Sequence, residues 1–257
     1  MLSLKEIQKF YPESLHQYGE FLIREYLQYK LLEIVYESEY ATSLIFLGGT
    51  CLRLIHGNQR FSAGLDFDNR GLGKNEFSEI SRLIKKGLEL EGYDTEIKIV
   101  QKDAFHCYVR FPGILFKERL SGYKEQKILI QLDTEPQDYH YTPEKTVINK
   151  FDVFTEIINT PLSLLLAQKF YAVLNRKRNK GRDFYDIAFL LSMRIEPAWS
   201  YLDQKISISN KEDLKNSILA HCEKIDIDEM ARDAAPFLIQ AKDAKKIVLF
   251  SELMRQM

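Results

Sequence analysis

The sequence predicts an α+β fold: a mixed sheet with helices around it, followed by a helical second domain. Three observations carry this. Short β-rich runs separated by turn residues fill the stretch from Ser43 to about Ile158, a single helical run interrupts them, and no convincing strand follows Thr160. The expected division is residues 1–158, N-terminal helices with the α/β domain, and residues 159–257, a helical domain.

From Leu4 to about Glu37 the apolar residues Phe21, Leu22, Tyr26, Leu27 and Leu31 recur at helical spacing, giving one or two amphipathic helices. The runs "SLIFL", "GLDFD", "YDTEIKIV", "FHCYVRFPGIL" and "KILIQLD" read as strands, with Gly92, Pro112-Gly113 and Ser121-Gly122 turning the chain between them. Among them "NEFSEISRLIKKGLEL" has a helical period. Thr160-Pro161 supplies an N-cap and first-turn pair for "LSLLLAQKFYAVL", a nearly unbroken run of helix formers.

With 257 residues, 45% of them hydrophobic, the chain can bury a sizeable core without staples. No apolar run approaches the roughly 20 residues of a membrane span, and the first twenty residues mix charge through their apolar positions, unlike a signal peptide; a cytoplasmic protein with no membrane partner is expected. Cys51, Cys107 and Cys222 lack CxxC spacing, so reduced thiols are expected rather than a disulfide framework or zinc site. A net charge of −1 argues against whole-surface attraction to nucleic acid but permits a local basic face. Arg176 to Arg182, "RKRNKGR", is such a face or a solvated helix end.

In "SLIFLGGTCLRLIHGN" a buried strand runs through Gly48-Gly49-Thr50 into a short helix ending near Gly57. Such a double glycine either makes a tight turn or lets backbone N–H groups approach a phosphate. In "SAGLDFDNRG" the strand period puts Leu65 and Phe67 on one face and Gly64, Asp66 and Asp68 on the other. Two carboxylates so placed can share a hard cation, magnesium usually taking one or two of them with water and phosphate oxygens; otherwise they are an exposed acidic edge. In "KILIQLD", Ile128, Ile130 and Leu132 alternate with Leu129, Gln131 and Asp133, a largely buried strand ending in an acid. Asp133 begins a turn or, should its strand lie beside that of Asp66, completes a three-carboxylate, two-metal site. Lys169 is the one charge on a long apolar helical face, which is costly unless it meets an anion. Asp183 and Asp186 are neighbours on the next helix, behind Arg182, so Lys169 and Asp186 form either an interhelical ion pair or part of a catalytic wall.

Taken in order, "GGTCLRLIHGNQRFS", the acidic strand, "ILIQLD", "LAQKFYAVLNR" and "KGRDFYDIAFLL" resemble the AbiEii/AbiGii-type nucleotidyltransferases over about Phe46 to Leu191. These are toxins of type IV toxin–antitoxin and abortive-infection systems, distantly related to DNA polymerase β. The resemblance implies a polymerase-β-like nucleotidyltransferase domain whose helical partner domain completes the cleft. It implies transfer of a nucleoside monophosphate from a nucleoside triphosphate to RNA, such as tRNA, or to protein, with Mg2+ or Mn2+ as cofactor and an antitoxin as partner. By position, Gly48, Gly49 and Thr50 would hold phosphate with Lys169 and Arg182; Asp66, Asp68 and Asp133 would hold metal; and Asp66, Lys169 and Asp186 would be catalytic. Arg53, Arg60 and Ser62 also match, as braces of the motif loop or as substrate contacts. The family pattern R-x-S-x-D-[LI]-D-F places its first acid on Gly64. That departure leaves two expectations: an enzyme using Asp66 and Asp68 as a displaced pair, or a nucleotide-binding or interaction protein of the same fold with impaired catalysis.

Overall fold

The computed structural model describes residues 1–102 and 104–257. They form two compact units: Met1–Ile55 with Phe61–Asn159, and His56–Arg60 with Thr160–Met257. No described helix is long and apolar enough to cross a membrane.

The first unit contains α1 (Leu4–Gln8), α2 (Gly19–Tyr36), β1 (Leu44–Leu47), α3 (Gly48–Leu54), β2 (Leu65–Asn69), α4 (Lys74–Leu90), β3 (Glu96–Gln101), β4 (Phe105–Pro112), α5 (Ile114–Lys117), β5 (Lys127–Glu135), β6 (Glu144–Lys150) and β7 (Val153–Asn159). Its sheet is mixed and seven-stranded, in the order β3-β4-β5-β2-β1-β7-β6. Only β2 with β5 and β1 with β7 run parallel. Apolar alternation makes one face: Cys107, Val109 and Phe111 from β4, Ile128, Ile130 and Leu132 from β5, and Leu65 and Phe67 from β2 are buried together. Helix α4 buries Phe77, Ile80, Ile84 and Leu88, at three- and four-residue spacing, and its Phe77 meets Phe105 of β4 on that side. Strand β5 is half-buried rather than largely buried, since Leu129 is exposed on the opposite face. At the β1–β7 junction the Tyr36 hydroxyl donates to the Ile158 carbonyl (2.7 Å) and accepts from the Phe46 N–H (3.1 Å), tying α2 to both strands.

Three local expectations shift. The "FHCYVRFPGIL" strand stops at Pro112, because Gly113 takes a left-handed φ of 71° and starts the short helix α5. Pro161 is itself the N-cap residue of the helix expected at Thr160, which begins one residue later. Strands β6 and β7 lie in stretches that carry no strong strand signal.

The second unit contains α6 (Leu162–Asn175), α7 (Gly181–Ser192), α8 (Trp199–Ile206), α9 (Lys211–Cys222), α10 (Ile227–Ala234), α11 (Lys245–Val248) and α12 (Phe250–Gln256). Leu165, Leu166 and Phe170 of α6, Phe184 and Ile187 of α7 and Phe250 of α12 are buried in its core. The N-terminus of α7 is pinned to α10, where the Gly181 N–H donates to Asp233 Oδ2 at 2.9 Å. A Cβ at Gly181 would fall 1.7 Å from the Met230 carbonyl oxygen. Gly181→Ala is therefore expected to destabilise the helical unit by at least the about 1–3 kcal/mol typical of overpacking, read as a lower denaturant midpoint; an unchanged midpoint would contradict the packing.

Candidate active site

Strand register builds the site. On parallel strands β2 and β5, Asp66 stands opposite Asp133, and on antiparallel β4 His106 stands opposite Asp133. In-register residues point to one face, so Asp66, Asp133 and His106 form a row on the side away from α4, with adjacent Cα atoms about 5 Å apart. His106 Nδ1 lies 2.6 Å from Asp133 Oδ1, and the Gln131 side-chain amide donates to the same oxygen at 2.7 Å.

At the end of β1, one residue past the partner of Asp66, the chain enters α3 through Gly48. Gly48 has a φ of +79°, and a Cβ there would fall 2.5 Å from Asp66 Oδ2, so only glycine allows this approach. Thr50 is fully buried; its hydroxyl donates to the Gly64 carbonyl and lies 2.7 Å from Ser62 Oγ. That hydroxyl braces the motif loop. Arg53 is likewise a brace: its Nε donates to Glu25 (2.8 Å), and its guanidinium lies over the Phe61 ring.

Asp68 occupies the same strand face but is committed elsewhere. Its Oδ1 accepts from the Gln137 N–H (3.0 Å) and its Oδ2 from the Tyr141 hydroxyl (2.9 Å), with Arg70 Nε 3.5 Å away. Asp68 is buried and anchors the segment after β5, while the acid in register with Asp66 is Asp133. At Gly64 a Cβ would fall 2.9 Å from the Gln131 carbonyl oxygen, so the backbone of β5 closes the place where the first acid was expected.

In the second unit, Asp186 is fully buried beneath cations. Arg60 donates to both its oxygens (2.7 and 2.6 Å), Asn58 to Oδ1 (2.8 Å), and Lys169 Nζ lies 2.8 Å from Oδ2. Burial works to raise the Asp186 pKa, but Arg60 and Lys169 override it and hold the carboxyl below its ordinary value. Lys169 also pairs with Asp183 at 2.7 Å, so two of its three N–H donors are taken. With both oxygens saturated and no exposure, Asp186 holds α6, α7 and the 56–60 segment together. Arg182 rests its guanidinium 4.3 Å from the centre of the Phe237 ring. Of the basic run, Arg176 pairs with Asp183, while Lys177, Arg178 and Lys180 are exposed.

Residues 30–248 match the family described as "Nucleotidyl transferase AbiEii toxin, Type IV TA system". The chain belongs to the AbiEii family. It is thereby a nucleotidyltransferase of a type IV toxin–antitoxin class. Two solved structures share the fold: JHP933 from Helicobacter pylori, 17% identical, covering 92% of each chain with a TM-score of 0.56; and an H. pylori protein described provisionally as a nucleotidyltransferase, 18% identical, covering 92% of this chain and 95% of that one, with a TM-score of 0.57. No curated protein sequence matches the chain.

Nucleotidyltransferases of this kind usually use a divalent metal, and the AbiEii site has donors for one. Asp66 and Asp133 are hard, ionisable oxygen donors abreast on one open face, the donor number magnesium takes when substrate phosphate and water complete its shell. Among the described residues no cluster of three or more His, Cys, Asp or Glu makes a metal cage, so a cation held at the pair would draw the rest of its shell from substrate and water oxygens. Sequence reasoning missed His106 and the role of Gln131: His106 reaches Asp133 through a strand pairing that local pattern does not specify, while Gln131 reaches it from the same face of the same strand, two residues before.

Removing the Asp186 charge leaves Arg60 and Lys169 buried without their shared anion, so Asp186→Asn is expected to cost about 3–5 kcal/mol in denaturant unfolding. Because the folded carboxyl titrates below its unfolded value, this stabilisation is present above about pH 4 and is lost as pH falls through the folded pKa. The gap between wild type and variant should therefore narrow below pH 4; a gap constant with pH would contradict the ion network.

Proposed function

We propose that the chain transfers a nucleoside monophosphate from a nucleoside triphosphate to a hydroxyl on RNA, tRNA included, or on protein, as a toxin restrained by a cognate antitoxin. The observation carrying this reading is the register of Asp66 against Asp133 beside the Gly48 approach. Two adjacent carboxylates would repel a triphosphate, so they are suited to it only with a cation between. Bound Mg2+, or Mn2+ in its place, supplies that neutralisation and lowers the pKa of the attacking hydroxyl.

The residues of this chain then hold and orient. Asp66 and Asp133 fix the cation, while the Gly48-Gly49-Thr50 backbone offers N–H groups to the phosphates, with Oδ2 of Asp66 packed against Gly48. The acceptor oxygen attacks the α-phosphorus and pyrophosphate departs. In the helical unit, Asp183 and Asp186 hold two of the three Lys169 N–H groups.

A second reading, nucleotide binding with impaired transfer, is favoured by Gly64, where no acid stands. Incubation with each α-labelled triphosphate, total RNA and magnesium separates the two. Labelled acceptor in the wild type and none in Asp66→Ala are expected; labelling that survives Asp66→Ala would sink the metal assignment. Triphosphate binding without transfer to any acceptor would establish the second reading. Gly64→Asp is expected to lower stability without a gain in transfer, because its side chain meets the Gln131 carbonyl; a gain would show that β5 yields there. If exposed Lys177, Arg178 and Lys180 contact an RNA backbone, log affinity should fall against log salt with a slope of about −2. A slope near zero would remove that contact.

A further inference from the structure

We propose that His106 is a positioning residue for the metal-binding carboxylate of Asp133, an inference resting on the nucleotidyltransferase reading of the Asp66–Asp133 pair. An ionised carboxylate has no proton to give, so in the 2.6 Å bond it is His106 Nδ1 that carries the hydrogen. Gln131 donates to the same oxygen from Asp133's own strand, two residues before it. Oδ1 therefore has two fixed donors, one from β4 and one from β5, and the carboxylate cannot rotate without breaking both. The constraint leaves Oδ2 as the oxygen presented to a cation.

Gly64 makes this constraint matter more. The backbone of β5 excludes a side chain there, so the site has two acidic ligands where the family pattern has room for a third. With fewer ligands, each must be held in place more firmly for the same affinity, and hydrogen bonds to ligating carboxylates are how proteins do this. The row order His106, Asp133, Asp66 across three neighbouring strands places the imidazole on the far side of Asp133 from Asp66. His106 thus acts through Asp133, not as a third ligand, in keeping with the lack of a three-residue metal cage among the described residues. Its ring is steadied by Tyr108, two residues along the strand, with ring centres 6.3 Å apart.

The test is Mn2+ binding without nucleotide, read from the electron paramagnetic resonance signal of the free ion, on the full chain with folding checked by circular dichroism. His106→Phe keeps a ring and removes the donor; His106→Asn keeps a donor near the Nδ1 position. The Phe variant is expected to bind Mn2+ about 10–100-fold more weakly than wild type, and the Asn variant to stay close to wild type. Wild-type affinity in the Phe variant would overturn the proposal, as would an Asn variant that falls as far as the Phe variant. Asp66→Ala separates the levels: if it loses Mn2+ while His106→Phe does not, only the role of His106 fails. If Asp66→Ala binds like wild type, or the wild type binds no Mn2+, the carboxylate site fails and the positioning role with it.

Discussion

The parallel register of β2 on β5 is the constraint on which the site depends. Leu65 and Phe67 must enter the apolar face with Leu132, and a slip of one residue would bury Asp66 in their place. Hydrophobic burial therefore sets where the two acids stand, and their mutual repulsion is accepted because the row faces away from α4. A like-charge pair about 5 Å apart in a partly wet site costs on the order of 1–3 kcal/mol, small beside the burial of several large side chains at about 1.5–3 kcal/mol each. A bound cation would turn that cost into an attraction, which is what suits the arrangement to the proposed phosphate chemistry better than to a plain acidic edge.

Glycine shapes the same region in two ways. At Gly48 the missing side chain admits the Asp66 carboxylate against a left-handed turn, so the glycine loop and the acid share one contact. At Gly64 it admits the β5 carbonyl, and what this strand pairing gains in close approach is lost as a ligand. The second unit solves a different problem. Arg60, Lys169 and Asn58 surround Asp186 with enough donors that burying these charges is compensated, Asp183 sharing the Lys169 ammonium, and the result is a joint between α6, α7 and the 56–60 segment.

Strong alternation makes both acid-bearing strands legible in the sequence. "GLDFD" and "KILIQLD" announce one apolar and one polar face, so Asp66 and Asp133 stand out as candidates. Their adjacency does not, because a parallel pairing between distant segments leaves no local trace. Asp68 misleads for the same reason: its partners Gln137 and Tyr141 lie 69 and 73 residues downstream. His106 reads as one polar residue on a strand until β5 is laid beside it. The lone charge of Lys169 is legible as an expense needing an anion, although both Asp183 and Asp186 share it. Strand β6 escapes a sequence reading because "EKTVINK" exposes Glu144, Lys145, Val147 and Asn149 at the sheet edge, where solvent permits polar residues and little periodicity remains.

The central claim is that Asp66 and Asp133 together hold one divalent cation. Crystals grown with Mn2+ and a non-hydrolysable triphosphate, measured at the manganese absorption edge, test it directly. The account predicts an anomalous peak at oxygen-ligand distance from both carboxylates, with phosphate oxygens completing the shell; a peak on Asp68, or none at the Asp66–Asp133 pair while phosphate is bound elsewhere, would contradict it.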